Sequence, residues 1–382
     1  TIWTARYNQI KENNMRIGLI TIFQVPNYGS VLQTYATQFM LEKMGVECNV
    51  INYRYPNEWH WKHGAKRPSG WKAMIRRLIP SRKTVVLRQF REKFLKFTPL
   101  FNNLDEMHNA DWSNYDAFVV GSDQVWNAKF VLGDCAFMLS FAPECKPRYS
   151  LASSFASNSL PEQYLHIYKR ELLKFTALSV REKNGVSIIN EELGINKTVE
   201  VLLDPTLLLS KDEWLKAIPR SRILKRRPYI LFYMWDYAFD PKPYIFEVTK
   251  FFQQKMNCDV IALEGWKNQN CTDGLVMENR SSSTVSEFID LFANADMVIT
   301  SSFHGTAFAL NFGVPLVSIV PKTNGDDRQY SLLKSLDCSN CGIKIGDIIT
   351  EINPLYDIYK EQKLLNSIRE KNIKWIRDNI IR

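Results

Sequence analysis

His304, Asp123 and Arg181 are the side chains whose types and settings suit chemistry on an anionic substrate. His304 lies in Thr300-Ser-Ser-Phe-His-Gly305, a polar turn between the apolar run Met297–Ile299 and the small-residue helical spacing of Thr306–Phe312. A histidine where a strand ends and a helix begins titrates near neutral pH. It also sits beside free backbone N–H groups and the positive end of the helix dipole. Acid–base work or anion binding is one reading of it, and a structural histidine in a βα turn is the other. Asp123, in Gly121-Ser-Asp-Gln-Val-Trp126, is either a proton acceptor or an N-cap. Arg181, in Ser179-Val-Arg-Glu182, leaves a strand end. There a guanidinium grips phosphate or carboxylate in bidentate fashion, or else pairs at the surface with Glu182 or another acid. In Val25-Pro-Asn-Tyr-Gly-Ser30, the residues Asn27, Gly29 and Ser30 either bring backbone N–H groups to an oxyanion or cap a helix. Asp327-Arg328-Gln-Tyr-Ser331 offers a further cation, Arg328, ahead of a short helix. No Walker loop, Rossmann glycine triplet, nucleophile-elbow serine or HExxH pattern is present, which argues against ATPases, dehydrogenases, such hydrolases and zinc proteases.

Each of these loops follows a strand-like run. Arg16–Ile22, Cys48–Tyr53, Ala117–Gly121, Arg148–Ser153, Thr176–Val180 and Thr198–Leu203 read as strands in the first half. Between the first two, Val31–Met44 carries apolar residues at helical spacing and stops at Gly45. That βαβ opening implies a parallel sheet with right-handed crossovers, on which ligands bind beyond the carboxyl ends of the strands. Asp204-Pro205 closes the half, and Lys211–Arg227 reads as a polar connector of mixed helical character. A second α/β unit opens at Pro228–Tyr233, with strands at Asp259–Leu263, Met297–Thr300 and Pro315–Ile319 and a helix at Val285–Ala293. Tyr356–Ile381 reads as one long amphipathic helix packing on the domains.

The expected architecture is therefore α/β, with two Rossmann-like domains facing across a cleft. They span 15–210, with a basic insertion at 62–96, and 228–350, followed by the helix at 356–382. Met15-Arg-Ile-Gly-Leu-Ile-Thr reads as a natural first strand, so residues 1–14 are set aside as a leader or appended segment. A chain of 382 residues with 45% hydrophobic and 23% charged residues suits two globular domains. No apolar run approaches the ~20 residues needed to span a bilayer, and no signal peptide is read. The seven cysteines are scattered, and Cys338-Ser-Asn-Cys341 has no second pair to complete a zinc site, so no metal is expected. Reduced thiols point to the cytoplasm. Residues 62–96 hold twelve Lys/Arg against the single acid Glu92, a balance of +11 in a chain of net charge +9, leaving −2 for the remainder. Interleaved with Trp59, Trp61, Trp71, Phe90 and Phe94, this stretch suits an anionic membrane surface or a polyanionic partner, or is a solvated helical hairpin face. No nucleic-acid motif accompanies it, and nucleic acid is not expected as a partner.

The motifs Met15-Arg-Ile-Gly, Asn27-Tyr-Gly-Ser-Val-Leu-Gln33, Gly121-Ser-Asp-Gln-Val-Trp126, Ser179-Val-Arg-Glu182, Asp204-Pro-Thr206 and Ser301-Ser-Phe-His-Gly305, in this order, resemble the polysaccharide pyruvyl transferase family. The resemblance implies a GT-B-like pair of Rossmann-type domains. It also implies transfer of pyruvate from phosphoenolpyruvate onto a sugar of a surface polysaccharide or its lipid-linked precursor, forming a ketal without a cofactor. Carried onto this sequence, it makes Arg181 a donor-binding residue and His304 the donor-binding or acid–base histidine. His304 and Arg181 then work as partners across the cleft, with Asp123 as the candidate base. Asn27, Gly29, Ser30, Ser302, Phe303, Gly305 and Arg328 are the surrounding substrate-binding candidates. The sequence departs from the family at Ser302, where an arginine commonly stands two positions before the histidine. Arg328, Lys322 or backbone amides are candidates to take its place, or the donor differs. The other readings are a glycosyltransferase using a sugar nucleotide, and a non-catalytic scaffold of envelope assembly. Phosphoenolpyruvate, a saccharide or lipid-linked saccharide, and an anionic membrane contacted through 62–96 are the expected partners, at the inner membrane face.

Overall fold

Two α/β units make up the chain in a computed structural model that describes residues 15–66, 79–221, 227–265, 267, 272–322 and 328–381. The expected leader 1–14 lies outside the described residues, as do 67–78 of the basic insertion. Among the described residues, unit one takes 15–66, 91–208 and 371–381, and unit two takes 79–90 and 209–370. The insertion, assigned from sequence to the N-terminal domain, is thus divided, with 79–90 grouped in unit two. The C-terminal helix Ile358–Ile380 likewise gives its last turns to unit one.

In unit one, β1 (Arg16–Ile20), β2 (Glu47–Tyr53), β3 (Phe97–Phe101), β4 (Ala117–Val120) and β5 (Arg148–Ser150) form an all-parallel sheet in the order β3-β2-β1-β4-β5. β6 (Leu178–Val180) and β7 (Val199–Val201) pair in parallel, and single bridges Tyr149↔Ala177 and Ser153↔Val180 join β6 to the β5 edge. β1 and β4 are buried almost throughout, as a two-faced parallel sheet requires. Their neighbours in the core include Trp126, Phe137, Phe155 and Tyr168.

The helix after β1 runs Tyr28–Lys43, one turn earlier than the apolar spacing alone suggests, because Asn27 in extended conformation caps it. Arg148–Ser153 was expected as one strand, but β5 stops at Ser150. Ala152 turns the backbone to φ +53, outside the β region. β3 was not legible from the sequence: Pro99 in its middle reads as a strand breaker, a defect tolerated on this edge position.

Unit two repeats the plan. β8 (Tyr229–Tyr233), β9 (Asp259–Glu264), β10 (Glu278–Asn279), β11 (Met297–Thr300), β12 (Leu316–Val320) and β13 (Gly342–Lys344) are all parallel, in the order β10-β9-β8-β11-β12-β13. The helices Tyr244–Met256 and Val285–Ala293 supply crossovers, the second opened by a capping box of Thr284 and Glu287. Phe232, Phe246, Val248, Ile299, Val317 and Ile319 belong to its core. The connector after unit one contains a helix, Lys211–Ala217, also set by a capping box, between Ser210 and Glu213. In both sheets the strand order reverses once, between β1 and β4 and between β8 and β11. Beyond the carboxyl ends of those strand pairs lie the crevices where this class of sheet binds ligands.

Candidate functional site

At the switch point of unit one, the turn after β4 meets the start of the helix Tyr28–Lys43. The Ser30 hydroxyl donates to Asp123 Oδ2 at 2.6 Å, and the Gln124 amide donates to Asp123 Oδ1 at 2.8 Å. Both Ser30 and Asp123 are buried. Asp123 holds φ +71, a left-handed conformation that costs a non-glycine residue about 1 kcal/mol or more and is kept only where the surroundings over-determine it. It caps no helix: the short helix Ala128–Val131 takes Asn127 as its N-cap. Asn27, by contrast, is a helix cap, its Oδ1 accepting from Gly29 N at 2.8 Å. Gln33 secures the same corner, donating from Nε2 to Thr21 Oγ1 at 2.9 Å and to the Ser30 carbonyl at 3.0 Å.

Arg181 is not at the surface, where the ion-pair reading of the sequence puts it. Its side chain is 1% exposed and donates from NH1 to Asp204 Oδ2 at 2.7 Å, with Asp204 itself 0% exposed. An ion pair is made, in the interior and with Asp204 as partner. Glu182 lies 4.0 Å from Arg181 Nε and turns its Oε1 to Ser154 and to the Phe155 and Ala156 amides. Arg181 and His304 belong to different units.

In unit two, β11 ends in a turn that a chain of hydroxyl contacts defines. Thr300 Oγ1 donates to the Tyr233 carbonyl at 2.6 Å and accepts from Ser302 N at 3.0 Å. Ser301 Oγ donates to the Trp235 carbonyl at 2.6 Å and accepts from Trp235 N at 2.9 Å. These bonds tie the carboxyl ends of β8 and β11 together. Ser302 is the N-cap of the helix Phe303–Phe312, accepting from Gly305 N at 3.4 Å, so the position carries a cap rather than a cation. His304 is the second residue of that helix, buried, with its ring 5.4 Å from that of Phe303. Gly305 is obligatory: a Cβ there would lie 2.2 Å from Thr300 Oγ1. The Arg328 guanidinium stacks 6.0 Å over the Phe303 ring. Arg328 is buried and is the first residue of the helix Arg328–Ser335, while Asp327 lies outside the described residues. The structure therefore gathers Ser302, Phe303, His304, Gly305 and Arg328 at one sheet edge, and Asn27, Gly29, Ser30 and Asp123 at another.

Three residues at these edges had escaped sequence reasoning. Trp235 follows β8, and Glu264 ends β9. Lys83, from the helix Arg82–Phe94, pairs with Glu264 and lies 4.9 Å over the Trp235 ring. Burial lowers the Lys83 ammonium and the Glu264 carboxylate opposes that shift. No local sequence signal marks this contact, because 181 positions separate the two charges. Lys83 is thus removed from the basic face, as is Arg91, whose NH1 donates to the Phe23 carbonyl at 2.8 Å. Arg82, Arg88 and Lys93 stay exposed on the helix; Arg76 and Arg77 lie outside the described residues. Cys338 and Cys341 are buried, and burial pushes the Cys341 thiol up to about 12. Among the described residues no helix is long and apolar enough to cross a membrane.

Two parallel Rossmann-like sheets, each with one reversal of strand order, make a GT-B-like α/β fold. Solved structures with this fold agree with it. The S. aureus MnaA–UDP co-structure is 12% identical, with 94% of this chain and 96% of that one covered at a TM-score of 0.55. A putative UDP-N-acetylglucosamine 2-epimerase from Listeria monocytogenes is 11% identical, covering 94% and 91% at 0.54. The Methanocaldococcus jannaschii UDP-GlcNAc 2-epimerase in complex with UDP-GlcNAc and UDP is 14% identical, covering 95% and 99% at 0.53. At such identities the likeness is one of fold. No curated protein matches the chain in sequence. The family model for polysaccharide pyruvyl transferase matches residues 27–323, more than half of the chain. The chain belongs to that family, a family of transferases.

Proposed function

We propose that this protein transfers the pyruvyl group of phosphoenolpyruvate to two hydroxyls of a saccharide, forming a cyclic ketal and releasing phosphate. The observation that carries the reading is the family match across residues 27–323, which takes in both the Asp123 turn and the His304 turn. The donor bears a phosphate and a carboxylate, so cations and helix N-termini must hold it. In unit two the Phe303–Phe312 helix start, His304 and Arg328 suit that task, with Arg328 on Phe303 supplying the cation that Ser302 does not. His304 delivers a proton to the methylene carbon of the enol. The adjacent carbon then takes the first sugar oxygen, whose proton passes to Asp123. Phosphate leaves with its bonding pair and takes the proton held by Asp123, and a second sugar hydroxyl closes the ring as its proton returns to His304. Ser30, bonded to Asp123 Oδ2, orients the accepting carboxylate. Positioned acid–base groups of this kind contribute about 10²–10⁴-fold in rate.

Phosphoenolpyruvate as donor places the reaction in the cytoplasm. The exposed Arg82, Arg88 and Lys93 suit an anionic membrane surface presenting a lipid-linked acceptor. The test is phosphate release from phosphoenolpyruvate over a panel of galactosides and N-acetylmannosamine-type acceptors, with His304→Ala as control. Release that disappears in His304→Ala supports the reading. Absence of release from every acceptor, together with thermal stabilisation by UDP, sinks it in favour of a sugar nucleotide.

A further inference from the structure

We propose that Arg181, Glu182 and Asp204 form a buried ionic frame that positions the Asp123 turn, so that Glu182 and Asp204 act on the reaction through Asp123. The inference rests on the reading of Asp123 as the proton acceptor. Its geometry lies wholly within unit one.

The frame reaches Asp123 from two sides. Through Asp204, the Oδ2 that accepts from Arg181 NH1 at 2.7 Å also accepts from Ser122 Oγ at 2.8 Å, and Ser122 is the residue directly before Asp123. Asp204 Oδ1 takes the Thr206 amide at 3.0 Å and the Thr206 hydroxyl at 2.6 Å, which fixes the carboxylate at the start of its own short helix. Through Glu182, Oε1 accepts from Ser154 Oγ at 2.9 Å, Phe155 N at 2.9 Å and Ala156 N at 3.1 Å. Ser154 in turn donates its amide to the Asp123 carbonyl at 3.0 Å and accepts from Trp126 N at 3.1 Å. Asp123 is therefore held at its preceding residue by one acid and at its own carbonyl by the other. Arg181 lies next to both acids, 2.7 Å from Asp204 and 4.0 Å from Glu182.

Burying three charges costs several kcal/mol per ion before pairing, and well-packed apolar residues would stabilise the fold as well or better. What the ions add is direction. Their hydrogen bonds end on the residues that set the backbone of Asp123, at the position where φ is +71 and strain has to be over-determined. A displacement of about 1 Å in an acid–base group costs on the order of 10²-fold in rate. A frame of this kind has a catalytic return that packing alone does not give.

The decisive variants are Ser122→Ala, which cuts the Asp204 link while leaving the Arg181–Asp204 pair in place, and Glu182→Gln, which keeps the shape of the other link. Each is compared with wild type in three measurements: thermal midpoint, kcat and KM for phosphoenolpyruvate, and amide exchange over residues 122–126 by mass spectrometry. The frame predicts a kcat lowered at least tenfold with KM for phosphoenolpyruvate unchanged. It also predicts at least tenfold faster exchange at Gln124, whose amide is bonded to the Asp123 carboxylate, at a thermal midpoint within a few degrees of wild type. Unchanged kcat and unchanged exchange in both folded variants overturns it. If wild type releases no phosphate while exchange still rises in both variants, the catalytic reading of Asp123 fails and the frame around its turn stands.

Discussion

Replacing Gly305 by alanine tests the account of the His304 turn in the sign of one free energy. Gly305 is inside a ten-residue helix, and helix propensity alone makes Gly→Ala stabilising by about 1 kcal/mol. The structure predicts the reverse. A Cβ at 305 would stand 2.2 Å from Thr300 Oγ1, 2.9 Å from Thr300 Cβ and 3.0 Å from Tyr233 Cδ1. Thr300 cannot yield freely, because its hydroxyl donates to the Tyr233 carbonyl and accepts from Ser302 N. Overpacking costs about 1–3 kcal/mol, and losing two buried hydrogen bonds costs about 0.5–1.5 kcal/mol each. Set against the propensity gain, the net loss is about 1–5 kcal/mol. Urea unfolding followed by tryptophan fluorescence reads the stability, and phosphate release reads the turn. A variant as stable as wild type, or more stable, refutes the reasoning about this turn.

Burial raises the Glu361 carboxyl from 4.5 to about 7, with the Gln362 amide and Arg369 lowering it only in part. The folded chain keeps this proton over the interval where the unfolded chain has lost it. Stability is therefore fullest below 4.5 and falls as pH rises to about 7. Glu361→Gln should remove that slope and stabilise the protein at pH 8 by up to about 3 kcal/mol, with little effect at pH 5; equal urea midpoint shifts at both pH values would contradict it. Ser30→Ala withdraws the hydroxyl bonded to Asp123 Oδ2, a charge-assisted contact worth about 1.5–3 kcal/mol, and should lower kcat for phosphate release about tenfold to a hundredfold. Unaltered kcat with unaltered stability would show that Ser30 does not bear on Asp123. Neutralising Arg82, Arg88 and Lys93 together should weaken co-sedimentation with phosphatidylserine vesicles on the order of a hundredfold at low salt, from about 1 kcal/mol per cation. Unchanged binding would remove the membrane from the proposal.

The plan of both sheets was legible because buried parallel strands write near-continuous apolar runs, as in Tyr229–Tyr233 and Met297–Thr300. Short edge strands were not: β10 has two residues and β13 three, too few for any periodicity to register. The turns bearing Asp123 and His304 were legible as small polar interruptions after strands. What the sequence could not disclose was which partner each charge would take. Arg181 reads as an anion-gripping guanidinium or a surface ion pair, and only the fold shows a buried pair with Asp204 at 2.7 Å. Lys83 reads as one cation in a basic run until folding sets it on Trp235 beside Glu264. Ser302 reads as a missing cation, and the structure explains the residue itself as a helix cap. In each case the deciding contact is distant along the chain, where local pattern carries no information.

The central claim is the donor, and a single measurement addresses it: time-resolved phosphate release from phosphoenolpyruvate by wild-type protein across the saccharide panel, with the product analysed by mass spectrometry. The account predicts release that depends on the acceptor, matched mole for mole by a pyruvylated saccharide and lost in His304→Ala. Phosphoenolpyruvate left intact with every acceptor, while UDP raises the thermal midpoint, would contradict it.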